Sequence, residues 1–161
     1  MRSRMPHRSC FLAAALLAAA CGQAGNASGG AARADEQLGV AMSYASAQAG
    51  SSEAAVYFTV RNAADRPDTL MHVITPEAAG ISVHRSVTNG GLVTMERLDW
   101  LAVGARDSLV LEPGGTHLML TGLKRKAPGD TIHLSLTFVH AGTRVLSVPV
   151  FAPGDAPEHQ H

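Results

Sequence analysis

His84, Met95, His117 and Met119 stand in the pattern H-x10-M-x21-H-x-M, and the last two flank a single leucine just after a Pro-Gly-Gly turn. Two imidazoles and two thioethers make a ligand set of narrow chemical meaning. Thioether sulfur is soft and uncharged, so it binds hard cations poorly and suits Cu(I), while imidazole accepts copper in either oxidation state. Zinc favours thiolate, imidazole or carboxylate, and calcium wants oxygen. If these four side chains converge, the metal is copper, in its reduced form. Taken singly, a Met in a strand usually fills core and a lone His usually sits at the surface or in a hydrogen bond; it is the joint spacing that carries the reading. Met71, His72, His133 and His140 fall outside the pattern and read as structural or incidental, with His133 expected at the surface.

The elements that must position these residues are strands. Val56, Phe58 and Val60 alternate with Tyr57, Thr59 and Arg61, and Ile132, Leu134, Leu136 and Phe138 alternate with Thr131, His133, Ser135 and Thr137. Such period-two patterns mark half-buried strands. Further strands are expected over 69–74, 80–88, 92–98, 107–111, 117–121 and 143–150. They are separated by Arg66-Pro67-Asp68, Asn89-Gly90-Gly91, Pro113-Gly114-Gly115, Pro128-Gly129-Asp130 and Ala141-Gly142. No segment after the N-terminal apolar run shows a sustained helical period. Many short strands with this punctuation predict an all-β sandwich or Greek-key barrel.

Within that frame the four residues have a route to one another. A two-residue Asn89-Gly90 loop is a favoured type I′ hairpin turn, since both positions tolerate positive φ. It would place His84 directly opposite Met95, at cross-strand distance. His117 and Met119, at i and i+2, share one face of their strand, and Leu118 and Leu120 take the other, towards the core. The ligand pair is therefore expected away from the deepest packing, as suits a protein that hands its metal on. Four neutral ligands leave the charge of Cu(I) uncompensated, so full burial would be costly. The absence of thiolate should ease release.

The neighbourhood of these residues resembles the periplasmic copper chaperone family PCuAC. Ala55-Val56-Tyr57-Phe58-Thr59-Val60-Arg61-Asn62 is similar to that family's first conserved strand, which ends in Asn. Leu111-Glu112-Pro113-Gly114-Gly115-Thr116-His117-Leu118-Met119-Leu120 resembles its L-x-P-G-G-x-H-x-M-L signature, and Gly122-Leu123-Lys124, Gly129-Asp130 and Leu136-Thr137-Phe138 follow in the family's order. The similarity spans about residues 37–151. The family often carries Glu or Met beside the first His and a Met-x-Met pair at the second ligand, where this chain has Val83, Arg85 and Val93. The resemblance implies a cupredoxin-like Greek-key β-sandwich, Cu(I) as the bound metal, and His84, Met95, His117 and Met119 as its ligands. It also implies delivery to the apo copper site of cytochrome c oxidase, alongside a Sco-type protein.

The first third of the chain reads as targeting. Arg2, Arg4 and Arg8 precede an apolar run from Phe11 to Ala20, which fits a signal segment and is too short to span a bilayer. Leu17-Ala18-Ala19-Ala20-Cys21-Gly22 resembles a bacterial lipobox, in which Cys21 would be lipidated and anchor the protein on the extracytoplasmic side of a membrane; an ordinary cleaved signal peptide is the alternative. The expected organisation is a signal peptide over 1–20, a lipidated Cys and Gly/Ala/Ser-rich tether over 21–36, the copper-binding domain over 37–152, and a flexible tail over 153–161. In the tail, His159 and His161 offer nitrogen without sulfur, a set that would hold Cu(II) weakly, if they are not incidental.

Composition excludes other classes. The chain has 13 basic and 13 acidic residues; removing residues 1–20 takes three Arg and no acid, leaving 10 basic against 13 acidic, a net of −3. No basic patch suggests nucleic acid. Both cysteines, Cys10 and Cys21, precede the domain, which rules out a disulfide, a redox pair or a nucleophilic thiol within it. Gly-x-Ser-x-Gly, His-Glu-x-x-His and phosphate-binding loops are absent, so an enzyme is not expected. Two other functions share these features: copper sequestration for resistance, and a structural or adhesive β-sandwich lipoprotein with incidental His and Met.

Overall fold

A computed structural model describes residues 37–157. Ten strands follow in order: β1 Leu38–Ser46, β2 Glu53–Asn62, β3 Asp68–Ile74, β4 Gly80–Asn89, β5 Leu92–Leu98, β6 Leu101–Val103, β7 Asp107–Leu111, β8 Thr116–Thr121, β9 Thr131–Phe138 and β10 Gly142–Phe151. Their spatial order is β5-β4-β8-β2-β1-β10-β9-β3-β6, with β7 pairing β2 alongside the end that β8 leaves free. One layer holds β5, β4, β8, β2 and β1 with β7, and the other holds β10, β9, β3 and β6. The parallel pair Ala45–Val150 and Ser46–Phe151 joins them at one side. With β8 set between β2 and β4, and β10 returning beside β1, the connectivity is that of a Greek-key sandwich, as expected.

Alternation decides what faces inward. Val56, Phe58 and Val60 of β2, Leu118 and Leu120 of β8 and Leu111 of β7 are fully buried, and they belong to one core with Ile132, Leu134 and Leu136 of β9 and Val148 and Val150 of β10. Each large aliphatic or aromatic side chain so buried contributes about 1.5–3 kcal/mol. Asn62, at the end of β2, is also buried. Its Nδ2 donates to the carbonyls of Arg66 and Gly104 at 2.8 and 2.9 Å, and its Oδ1 accepts from Ala64 N–H at 3.0 Å. The Asn thus ties together the two loops at that end of the sandwich, which accounts for its place at the strand terminus.

The strands read from the sequence are present within a residue or so of their expected ends, except that β2 runs further at each end. Two others were not legible. In β1 the pairing with β2 slips between Ala41 and Tyr44, and Met42 sits at φ 49°; this bulge breaks the alternation by which a strand is recognised. β6 is only three residues long and is defined by its pairing with β3.

The hairpin register differs from expectation. Asn89 pairs with Leu92, Thr88 with Val93 and Ser86 with Met95, so His84 faces Arg97 rather than Met95. The turn is Gly90-Gly91, with φ 59° and 85°, the two positive values that a type I′ turn requires. Asn89-Gly90 would satisfy the same turn, but two glycines meet it without any Cβ penalty. The displacement is two residues, an even number, so every β5 side chain keeps its face.

Candidate metal centre

The outer face of β5, β4 and β8 carries all four residues. His84 lies directly opposite His117, and Ser82 lies opposite Met119. The two imidazoles are nearly parallel, 22° apart, with centroids separated by 6.0 Å. Imidazoles sharing one ion through bonds of about 2.0–2.1 Å have centroids on the order of 5–6.5 Å apart, so this pair already stands at a usable spacing. Leu118 and Leu120 point into the core, as the alternation of β8 demands.

Hydrogen bonds set the nitrogen chemistry. Nδ1 of His117 lies 3.2 Å from the Gly115 carbonyl. A carbonyl only accepts, so Nδ1 carries the proton and Nε2 presents its lone pair. On His84, Nε2 is 2.8 Å from Ser82 Oγ, while Nδ1 is buried without a partner. A buried N–H left unpaired is costlier than a bare lone pair, which places the proton on Nε2, donating to Ser82, and leaves Nδ1 as a buried lone pair without a hydrogen-bond partner. Burial holds the His84 pKa below the ordinary value, with the positive charge of His117 and of Arg97 adding to the effect. His84 is thus held towards the neutral form that ligates.

His117 is more enclosed than the sequence implied. It is 4% exposed although it belongs to the outer face. Tyr57 of β2 lies beside it at 6.4 Å between ring centroids, and Tyr57 in turn packs against Tyr44 at 5.1 Å. Tyr57, Ser82, Arg97 and the Gly115 carbonyl are the neighbours that sequence reasoning missed. Ser82 was findable, two residues before His84 on the same face; the others depend on pairings between distant strands.

Met119 shares the face two residues from His117 and is half-buried, whereas Met95 is 60% exposed near the hairpin tip. Met95 sits opposite Ser86 and is therefore diagonal to His84. With strands about 4.8 Å apart and a rise of about 3.4 Å per residue, Met95 and Met119 have Cα atoms roughly 17 Å apart across a flat sheet. A thioether sulfur lies on the order of 4 Å from its Cα and a metal–sulfur bond adds about 2.3 Å, so two methionines share an ion over at most about 13 Å. The structure thus brings His84, His117 and Met119 together and leaves Met95 apart. Among the described residues no three His, Cys, Asp or Glu side chains cluster to hold a metal. His133 is exposed and pairs with Glu77 at 2.9 Å; Met71, His72 and His140 are exposed, and Met71 and His72 of β3 border the cavity that Ser82 and Arg97 also line. Cys21, His159 and His161 lie outside the described residues.

Comparison with known proteins bears on fold and family. The copper-bound PCuAC domain from PmoF2 superposes with a TM-score of 0.62 at 25% identity, over 73% of this chain and 94% of that domain. The Cu(I) form of DR1885 from Deinococcus radiodurans does so with a TM-score of 0.55 at 30% identity, over 71% of this chain and 76% of that one. The fold is therefore the cupredoxin-like one. Among sequences, "Putative lipoprotein Lxx21020" of Leifsonia xyli subsp. xyli (strain CTCB07) is 33% identical over 104 residues, and the match covers 63% of each chain. "Uncharacterized protein RP573" of Rickettsia prowazekii (strain Madrid E) is 24% identical over 101 residues, 62% of this chain and 56% of that protein. The chain thus spans less than two thirds of these relatives. The family model "Putative lipoprotein LpqE-like" matches residues 38–150, from the first strand to the penultimate residue of the last, and the chain belongs to this LpqE-like family.

Proposed function

We propose that the protein is an extracytoplasmic copper chaperone that takes up one Cu(I) through His84, His117, Met119 and Met95 and passes it on by ligand exchange. The observation that carries the reading is the stacked His84–His117 pair, with Met119 on the same face and a free nitrogen on each ring. Copper is the cargo, and the site is a binding site rather than a catalytic one. Two neutral nitrogens and two thioethers match Cu(I) and offer no thiolate to hold it irreversibly. The exposed Met95 is the ligand that a recipient can displace first, while the enclosed His117 releases last. Likeness to copper-bound PCuAC domains supports the same metal.

The proposed recipient is the apo copper site of cytochrome c oxidase, with a Sco-type protein as a partner. Attachment through a lipid on Cys21 would keep the domain at the extracytoplasmic membrane face, in accord with the lipoprotein names in its family. No helix among the described residues is long and apolar enough to cross a membrane.

The test is a Cu(I) titration against a chromophoric competitor, comparing wild type with the Met95→Leu/Met119→Leu double variant. One Cu(I) per chain and a large loss of affinity in the variant are expected, with X-ray absorption showing sulfur and nitrogen around the ion. A copper shell without sulfur would refute the assignment. Absence of Cu(I) binding would instead favour a structural or adhesive role. Transfer to an apo oxidase copper domain separates a chaperone from a protein that only sequesters copper.

A further inference from the structure

The tripeptide Asn89-Gly90-Gly91 offers two type I′ turns. Gly90-Gly91 is the one adopted; Asn89-Gly90 is equally permitted, since Asn tolerates positive φ. Moving from one to the other slides β5 by two residues along β4 and leaves each side chain on its own face. In the observed register Arg97, a cation, lies opposite His84. In the second register Met95, a soft donor, takes that place, in line with His84 and His117. The Met95–Met119 Cα separation then falls from roughly 17 Å to roughly 12 Å on the same strand spacing and rise, within the span that two thioethers can bridge.

β5 is free to move in this way. It is an edge strand, and its residues from Leu92 to Arg97 are all exposed. Its inward contact is Leu98, which would pass from Val83 to Ile81, one apolar neighbour to another. Leu92 would pass from opposite Asn89 to opposite Val87, an apolar gain, while Glu96 would pass from opposite Arg85 to opposite Val83, the half-buried place that Leu98 vacates, a cost that metal binding must offset; exposed cross-strand pairs such as Glu96–Arg85 are worth only about 0.2–1 kcal/mol. The displaced root of the strand, Leu98-Asp99-Trp100, has room. It borders a cavity of about 240 Å³ whose other walls include Ile81, Ser82 and Val83, the stretch of β4 towards which Leu98 would move.

We propose, resting on the Cu(I) reading above, that the β4–β5 hairpin is a two-register clamp: the free protein holds the Gly90-Gly91 register, with Met95 withdrawn, and Cu(I) binding slides β5 by two residues to the Asn89-Gly90 register, with Met95 opposite His84. The transition exchanges Arg97 for Met95 beside His84 as the metal's charge arrives. Reversal withdraws one ligand and returns Arg97 from opposite Ser82 to opposite His84, which favours release.

Two substitutions that touch no ligand bias the registers in opposite senses. Gly91→Thr opposes positive φ at 91 and suits a strand there, favouring the second register; Asn89→Val opposes positive φ at 89 and holds the first. The experiment is NMR of the mature protein, free and loaded with Cu(I), which is diamagnetic, reading cross-strand contacts of His84, together with Cu(I) titration and X-ray absorption. The wild type should show His84–Arg97 contacts when free and His84–Met95 contacts when loaded. Free Gly91→Thr should already show His84–Met95 contacts. It should also bind Cu(I) more tightly by the reciprocal of the second register's population in the free wild type, on the order of tenfold if that population is a tenth. Asn89→Val should keep His84–Arg97 contacts and lose one sulfur from the copper shell. Persistence of His84–Arg97 contacts in loaded wild type, or a full sulfur count in Asn89→Val, overturns the clamp while leaving Cu(I) binding intact. If the wild type takes up no Cu(I), the functional reading fails, and the register of free Gly91→Thr still reports whether the second pairing exists; its absence there overturns the slide independently.

Discussion

Adjacent residues on β8 should fail in opposite ways. Leu118 is fully buried, lies between Val83 of β4 and Val56 of β2, and belongs to the main core. Met119 faces outward beside His117. Leu118→Ala removes buried methyl groups and leaves a cavity, which costs about 2–5 kcal/mol. For a domain of this size that corresponds to a fall in Tm of roughly 8–20 °C. Met119→Leu nearly conserves volume and should cost less than about 1.5 kcal/mol, or less than roughly 6 °C. Loss of an outer hydrogen-bond partner alone weakens metal sites by about 10–100-fold, so loss of a ligand should weaken Cu(I) binding by at least that much. The assays are thermal unfolding of the metal-free proteins by circular dichroism, and Cu(I) competition titrations well below the midpoint of each variant. The expected outcome is a double dissociation: Leu118→Ala is unstable but binds Cu(I) nearly as wild type, and Met119→Leu is stable but binds poorly. If Met119→Leu lowers Tm as much as Leu118→Ala, or if folded Leu118→Ala loses Cu(I) to the same degree, the assignment of one face to packing and the other to metal is wrong.

Further outcomes are expected. Folding keeps His84 neutral, because its pKa is lowered from the ordinary 6.5 by burial and by His117 and Arg97. The unfolded chain therefore takes up a proton near pH 6.5 that the folded chain resists, and the associated stability is complete above that pH and declines as pH falls below it. Urea unfolding of the metal-free protein between pH 8 and 5 should show an acid-dependent loss in wild type that is smaller in His84→Gln; parallel curves would contradict the burial argument. Mass spectrometry of the mature protein should find an acylated N-terminal Cys21, and Cys21→Ser should release the protein from membranes; unchanged attachment would exclude the lipid anchor. Deleting residues 158–161 should lower Cu(II) stoichiometry or affinity if His159 and His161 capture that ion, and should leave Cu(I) binding intact; unchanged Cu(II) binding would remove the tail from copper capture.

What could be read without coordinates was whatever depends on local periodicity and ligand chemistry. Strand alternation sends Leu118 and Leu120 inward and leaves His117 and Met119 on the other face, because side chains alternate whatever the neighbouring strands do. Two thioethers and two imidazoles name the metal, because softness is a property of the donor atom. Tertiary structure decided the rest. The pairing of β4 with β8, which stacks His84 on His117, joins residues 33 positions apart through hydrogen bonds that no local pattern encodes. Tyr57 came beside His117 because β2 packs along the other edge of β8, and the bulge that hides β1 from its own alternation sets Tyr44 against Tyr57. The register of the hairpin was undetermined for a definite reason. Asn89-Gly90-Gly91 satisfies the type I′ turn in two places, and the choice falls to the lower cost of two glycines at positive φ together with packing at the root of β5, where Leu98 meets Val83 and the core beneath.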